Sequence, residues 1–293
     1  MKAFANLHPA VQLFWFLSVL AVAMFSGNPV LSVTALLGGI LFCLVQVKRS
    51  RVPGDLGLYI PLFFLVAVTN PLFSHNGVTP LFFLNGKPVT LEALLYGVFL
   101  AVTVVGVMLW CKCYSEVMTC DRFLYLFGRV IPKLALVLSM ALRFVPLFRR
   151  QMRKVRNAQK TMGFYAGRGF ADRIRSAGRV FLSVIAWSLE NAMETASSMK
   201  ARGYGGAKRT TFSLFRFSAR DGVLLAVGAG LVSLTVFGMA SGAAAFSFYP
   251  RVGTLQLTPA AFATELAFFA LTFCPFAMEV KEVAVWNCCR SKI

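Results

Sequence analysis

The residues able to do chemistry are few. His8 and His75 are the whole imidazole supply and stand far apart in the chain, so no spacing between them suggests a metal site or a nucleophile relay. The seven cysteines (Cys43, Cys111, Cys113, Cys120, Cys274, Cys288 and Cys289) form no C-x-x-C pair. Most fall in or beside apolar runs, where a reduced thiol acts as a small buried hydrophobe. The phosphate-cradling pattern G-x-x-x-x-G-K-[ST] does not occur, since Gly86-Lys87 is followed by Pro88. Glu190 and Glu194 are one helical turn apart, a spacing that suits pairing with nearby bases better than acid–base work. Glu265 is the one acid well inside an apolar run and is expected to bury against helix neighbours. No catalytic set and no metal-ligand set emerges. What the residue types do offer is binding. In Ala201-Arg202-Gly203 the Gly ends a helix, the Ala keeps its surface clear, and the Arg projects a fixed fork of donors from the tip. That shape suits an acidic groove on a partner protein.

The elements that must carry this tip are set by composition. Of 293 residues 58% are hydrophobic and only 14% charged, and Lys+Arg outnumber Asp+Glu 30 to 11, a net charge of +19. Soluble domains carry about a quarter charged residues, and a disordered chain lacks so much apolar surface, so both classes are excluded. Six apolar runs, at 10–26, 29–47, 56–73, 91–111, 222–241 and 259–278, approach the roughly 20 residues a helix needs to cross hydrocarbon. Lys48-Arg49-Ser50-Arg51, Lys112, and Lys281 with Arg290 and Lys292 mark the cytoplasmic side, while the loop at 74–90 holds only His75 and Lys87. The expectation is six crossings with both termini in the cytoplasm. Lys2 and Ala21-Val22-Ala23 resemble a weak signal peptide, but the first run is expected to be retained. Asn85-Gly86 between Leu81-Phe82-Phe83-Leu84 and Pro88-Val89-Thr90 predicts a small hairpin, with Thr90 capping the next helix.

Charge concentrates between the fourth and fifth runs. Positions 143–220 hold seventeen of the Lys and Arg residues, opposed by Asp172, Glu190 and Glu194 alone. The organisation read from this is 1–112 as N-terminal membrane helices, 113–220 as a basic cytoplasmic region, and 221–293 as C-terminal membrane helices. Two amphipathic helices are predicted in the basic region. The first sets Phe148, Met152, Val155, Ala158 or Gln159, and Met162 on one side. Arg149, Arg150, Arg153, Lys154, Arg156 and Lys160 take the other faces. Pro146 fits its first turn or a kink before it, and Gly163 its end. The second carries a stripe of Ile174, Gly178, Phe181, Ile185, Ser188 or Leu189, Ala192, Ala196 and Met199, with small members that invite close helix–helix approach. Asp172 at its start and Lys200 and Arg202 at its end complement the helix dipole, and Gly203 ends it. The fold class is an all-α integral membrane protein with about six transmembrane helices and two long amphipathic cytoplasmic helices. Basic helices beside a bilayer also suit anionic lipid, which stands as the alternative reading. Apolar stripes and flanking spans argue against nucleic acid.

In their full setting these residues resemble a known family. The stretch Ile131-Pro132-Lys133-Leu134-Ala135 through Ala141-Leu142-Arg143-Phe144-Val145-Pro146-Leu147, then Arg156-Asn157-Ala158-Gln159-Lys160, then Met199-Lys200-Ala201-Arg202-Gly203-Tyr204, is similar to the transmembrane T component of energy-coupling factor transporters. Cobalt-uptake permease subunits belong to the same family. Leu7-His8-Pro9 and the stretch from Asn85 to Glu92 look similar too. The resemblance implies a non-catalytic scaffold in a bacterial or archaeal cytoplasmic membrane, binding no cofactor itself. Its implied partners are two cytoplasmic ABC-type ATPase subunits, which bind the ATP, and one membrane-embedded S component that captures a vitamin or metal ion. Two coupling helices, each ending in Ala-Arg-Gly, would dock the ATPases. Ala201, Arg202 and Gly203 match the second motif, and Arg143 and Pro146 fall in the stretch supporting the first helix. The first motif departs: Thr161-Met162-Gly163 has Met where Arg is expected, with Arg168 the nearest arginine beyond it. An arginine restored at 162 is expected from the pattern to be tolerated or to tighten assembly.

Overall fold

Backbone N–H and C=O groups in hydrocarbon must be satisfied within the chain, and an apolar run meets that demand by becoming a helix. A computed structural model describes residues 4–46, 52–74, 77–84, 87–128, 131–163, 169–205, 215–254 and 258–290, and each apolar run is helical in it. The six are α1 (Pro9–Phe25), α2 (Pro29–Gln46), α3 (Val52–Phe73), α4 (Leu91–Val117), α8 (Ala219–Ala240) and α9 (Pro259–Arg290). Between α4 and α8 lie the short α5 (Cys120–Gly128) and two long helices, α6 (Pro132–Thr161) and α7 (Phe170–Ala201). Four helices, α2, α4, α8 and α9, are long and apolar enough to cross a membrane, while Pro9–Phe25 and Gly57–Phe73 are shorter apolar helices. The protein is an all-α membrane protein. Both α4 and α9 run past the ends of their apolar stretches, because nothing in Lys112-Cys113-Tyr114 or Glu279-Val280-Lys281 breaks a helix.

The expected hairpin forms as β1 (Pro80–Leu84) paired antiparallel with β2 (Lys87–Thr90). The Thr90 hydroxyl accepts from the Ala93 N–H at 3.3 Å and so caps α4. The Thr79 hydroxyl donates to Glu92 at 2.8 Å, tying the loop to that helix start. The turn residues Asn85 and Gly86, His75, and the basic run from Lys48 to Arg51 lie outside the described residues.

The chain divides into two compact units, Met1–Phe123 with Phe215–Ile293, and Leu124–Leu214. In the first, burial centres on Trp15, Phe16, Phe42, Trp110 and Phe268. Phe42 stacks on Trp110 with centroids 5.9 Å apart, and Phe16 meets the same indole edge-on. Each indole N–H finds a backbone partner on another helix: Trp15 donates to Leu271 O and Trp110 to Ala35 O, both at 2.9 Å. Lipid is as apolar as these side chains, so close fit rather than the hydrophobic effect holds such helices together. Small residues provide that fit. A Cβ on Gly97 would lie 2.5 Å from Ala67 O of α3, and one on Gly238 would collide with Thr264 of α9. Gly97→Ala is therefore expected to push α3 from α4 at a cost of about 1–3 kcal/mol. The check is a lowered midpoint in thermal unfolding of the detergent-solubilised protein. Phe25 and Phe73, each 83% exposed, are the outward face expected of helices solvated by acyl chains.

One end of this unit is held by polar groups. Asp221, in the first turn of α8, accepts from Ser218 N–H at 2.9 Å and from His8 N–H at 3.1 Å, joining the starts of α8 and α1. At the same end a chain of hydrogen bonds crosses the helices. Arg122 Nη1 donates to Gln12 Oε1 (3.2 Å), Gln12 Nε2 to Phe4 O (2.8 Å), Phe4 N–H to Glu279 Oε2 (3.0 Å), and Gln46 Nε2 to Glu279 Oε1 (3.2 Å). Arg122 also donates to Val117 O, and its partial burial pushes the guanidinium pKa down from its ordinary value. The Phe4–Glu279 bond ties the first described residues of the chain to α9.

Candidate functional site

The second unit is built on α6, 30 residues, and α7, 32 residues, so each rod is about 45–48 Å long at 1.5 Å per residue. Pro132 opens α6 at a position where a missing N–H costs nothing. Pro146, expected in the first turn or at a kink before it, lies instead in the interior of α6. The apolar stretch from Pro132 to Leu142 is already helical, and a proline there removes one backbone bond without ending a helix sustained on both sides. Arg143 and Pro146 are both exposed on it.

The two helices pack through Phe148 of α6, which meets Trp187 of α7 edge-on at 6.0 Å and stacks on Phe144. On α7 the buried positions are Ser176, Val180 and Val184. They are not the stripe expected from the sequence. Ile174, Phe181 and Leu189 are 58–61% exposed, and Gly178, Ala192 and Ala196 are exposed with them. The spacing of apolar residues picks out the widest apolar arc, but the face used is set by where the neighbouring helix meets it. The consequence is an apolar face left open on a helix that does not qualify as a membrane span, with Leu182 and Met193 also 66% and 68% exposed. Arg149, Arg150, Arg153, Lys154, Arg156 and Lys160 are likewise exposed along the last turns of α6.

The tips of the helices are alike in backbone. α7 ends with Arg202 N–H on Ser198 O (3.1 Å), Gly203 N–H on Lys200 O (3.0 Å) and Tyr204 N–H on Met199 O (3.0 Å). These are the paired bonds of a Schellman stop, and Gly203 supplies the left-handed residue it needs, at φ +79°. α6 ends with Met162 N–H on Ala158 O (3.1 Å) and Gly163 N–H on Lys160 O (3.1 Å), with Gly163 at φ +78°. Thr161, Met162 and Gly163 thus stand where Ala201, Arg202 and Gly203 stand. Met162 is 69% exposed, and Arg202 is exposed too. Lys160 and Lys200 occupy the last turn of each helix, where a cation meets the negative dipole end. Arg168 lies outside the described residues.

Among the described residues no group of His, Cys, Asp or Glu is placed to hold a metal ion. The clefts found are apolar, one of about 410 Å³ lined by Ile40, Cys43, Tyr59, Phe63 and Leu109, and neither offers a nucleophile beside a base. The arrangement offers surfaces for contact: a basic rod, α6, and a rod with an open apolar face, α7, each ending in an exposed tip residue.

The family described as CbiQ, cobalt transport protein, matches residues 3–214, from the first described turn through both long helices and their tips. The chain belongs to that family. Among relatives of this CbiQ-family protein is the energy-coupling factor transporter transmembrane protein EcfT of Lacticaseibacillus paracasei, 38% identical over 107 residues, which are 36% of this chain and 39% of the relative. EcfT of Lactobacillus helveticus is 35% identical over 114 residues, 38% of this chain and 41% of its own length. EcfT of Staphylococcus aureus is 26% identical over 179 residues, 56% of this chain and 67% of that protein. The alignments to the first two thus span about two fifths of those relatives. The family resemblance drawn from the residues is confirmed, and the chain is an EcfT/CbiQ-like membrane component.

Two features of the structure escaped the sequence reading. Gln12 and Glu279 are fully buried hydrogen-bonding centres, yet Glu279 follows an apolar run and precedes Lys281, which reads as the start of a polar tail. A glutamine in α1 flanked by Val11 and Leu13 was the one available signal.

Proposed function

We propose that this protein is the non-catalytic transmembrane scaffold of an ATP-driven importer of the energy-coupling factor type. In this reading it binds two cytoplasmic ATPase subunits through the tips of α6 and α7, and one membrane-embedded substrate-capturing subunit through the open apolar face of α7. ATP is bound and hydrolysed by the partners. The cargo, a vitamin or a metal ion such as cobalt, is chosen by the capturing subunit. The long basic helices face the cytoplasm of a bacterial or archaeal cell, and both termini lie on that side. The observation that carries the reading is the α7 tip, a Schellman stop that projects the exposed Arg202 from the end of a 32-residue rod. The positive-inside rule supports the orientation, since the chain's excess of Lys and Arg is concentrated in this region.

The test is gentle solubilisation of tagged protein from its native membranes, with identification of what co-purifies. Two ABC-type ATPase chains and a small hydrophobic protein are the expected companions. Recovery of the scaffold with lipid only would sink the proposal. The second reading, binding of anionic lipid by the exposed bases from Arg149 to Lys160, is favoured by that surface alone. It predicts vesicle binding that falls steeply with salt and no dependence on Arg202 in particular.

A further inference from the structure

Two rods ending in the same backbone conformation present two different chemistries. Met162 has φ −78° and ψ 3°, Arg202 has φ −78° and ψ 6°, and the glycine after each lies within a degree of the other in φ. Among the described residues a Cβ placed on either glycine would meet nothing within 4 Å, so neither glycine is packed against them. The residue before the glycine therefore leaves each helix in the same direction relative to its axis. One tip offers a guanidinium with five donors. The other offers an unbranched thioether, 69% exposed, with no donor at all.

A socket cannot suit both. A groove that receives Arg202 must supply carboxylate or carbonyl acceptors in its floor, and closed over Met162 those acceptors would be buried without partners. A pocket that receives Met162 must be apolar, and closed over an arginine it would desolvate a charge with nothing to pair it. Two copies of one ATPase present the same socket twice. The flanking lysines, Lys160 and Lys200, are matched at the two tips, and beside the change of Ala201 to Thr161 the difference in charge lies in the projecting residue. We infer that Met162 is a specificity-determining anchor for an apolar pocket. The α6 and α7 tips then take two chemically different ATPase faces, and the scaffold sets which ATPase sits on which helix. The inference rests on the scaffold reading above and reverses the expectation that arginine at 162 is harmless.

The experiment uses the complex purified from native membranes. A diazirine analogue of methionine at position 162 and benzoylphenylalanine in place of Tyr204 report the neighbour of each tip by photo-crosslinking. Alongside, Met162→Arg, Met162→Leu and Arg202→Glu are scored for ATPase retained per scaffold. The expected result is crosslinks to two different ATPase polypeptides. Met162→Arg lowers retention at least about tenfold, and Met162→Leu, which conserves volume and apolarity, leaves it near wild type. Crosslinks from both positions into one polypeptide overturn the inference, as does retention in Met162→Arg at or above the wild-type level. The Arg202→Glu arm separates the two claims. If it releases no ATPase, the scaffold reading itself fails; if it releases ATPase while Met162→Arg does not, only the role of Met162 is lost.

Discussion

On the proposed scaffold function, Arg202→Glu is expected to release ATPase from the complex and abolish uptake while leaving the protein folded. The side chain is exposed, and the stop of α7 is closed by backbone bonds from Arg202, Gly203 and Tyr204, none of which needs the guanidinium. Within the isolated chain the substitution places an acid at the negative end of a helix dipole, a penalty of about 0.3–1 kcal/mol. At a docked interface the same change puts two like charges together and strands the partner's acceptors, a loss of about 2–5 kcal/mol or more. That is at least about a thirtyfold fall in affinity at the low end, with 1.4 kcal/mol for each factor of ten. The two effects are read separately, the first by thermal unfolding of the scaffold alone and the second by retained ATPase and uptake in cells. Wild-type uptake in the variant would show that Arg202 carries no load. A large fall in unfolding temperature would show that its role is internal to the fold.

The second large effect is expected at Glu279. Its two oxygens accept from Phe4 N–H and Gln46 Nε2 at one end of the bundle, and the residue is 2% exposed. Glu279→Ala leaves a backbone N–H and an amide buried without their acceptor. Each buried donor left unsatisfied costs about 1–3 kcal/mol, so the loss is on the order of 2–6 kcal/mol. Glu279→Gln keeps one carbonyl oxygen and is expected to cost at least about half as much, because the carbonyl still serves one of the two donors while the amide NH2 faces the other. The ordering Ala well below Gln below wild type, in thermal unfolding of the solubilised protein, is the outcome that fits. Gln melting with wild type and well above Ala would mean that packing volume rather than acceptor strength matters there. Through Phe4 and Gln12 this carboxylate is linked to Arg122 at the start of α5, from which the chain enters the second unit. Gln12→Leu, which breaks the same chain in its middle, should lower the melting temperature as well.

Much of this molecule was legible in its amino-acid order because the signals are one-dimensional. A bilayer demands about twenty apolar residues in succession, so the six apolar helices, four of them long enough to span, can be counted along the chain. Asn85-Gly86 marks a hairpin, Thr90 a helix start, and Gly163 and Gly203 helix ends, because each acts through its own backbone and near neighbours. Family membership was legible for the same reason, since the motifs from Ile131 to Tyr204 are contiguous words.

Tertiary structure alone decided what depends on distant neighbours. The face of α7 that buries Ser176, Val180 and Val184 differs from the widest apolar arc, because an amphipathic helix with several apolar arcs is oriented by what it meets. Pro146 lies inside α6 since a helix already running from Pro132 tolerates one missing donor, a fact invisible in a window around the proline. The Glu279 node joins residues from both ends of the chain, and only folding brings Phe4, Gln46 and Glu279 within hydrogen-bond reach. The matched tips of α6 and α7 belong to the same class. Sequence shows a methionine where an arginine was expected, and three-dimensional form shows that both side chains leave their helices in the same way, so the difference lies in chemistry and not in geometry.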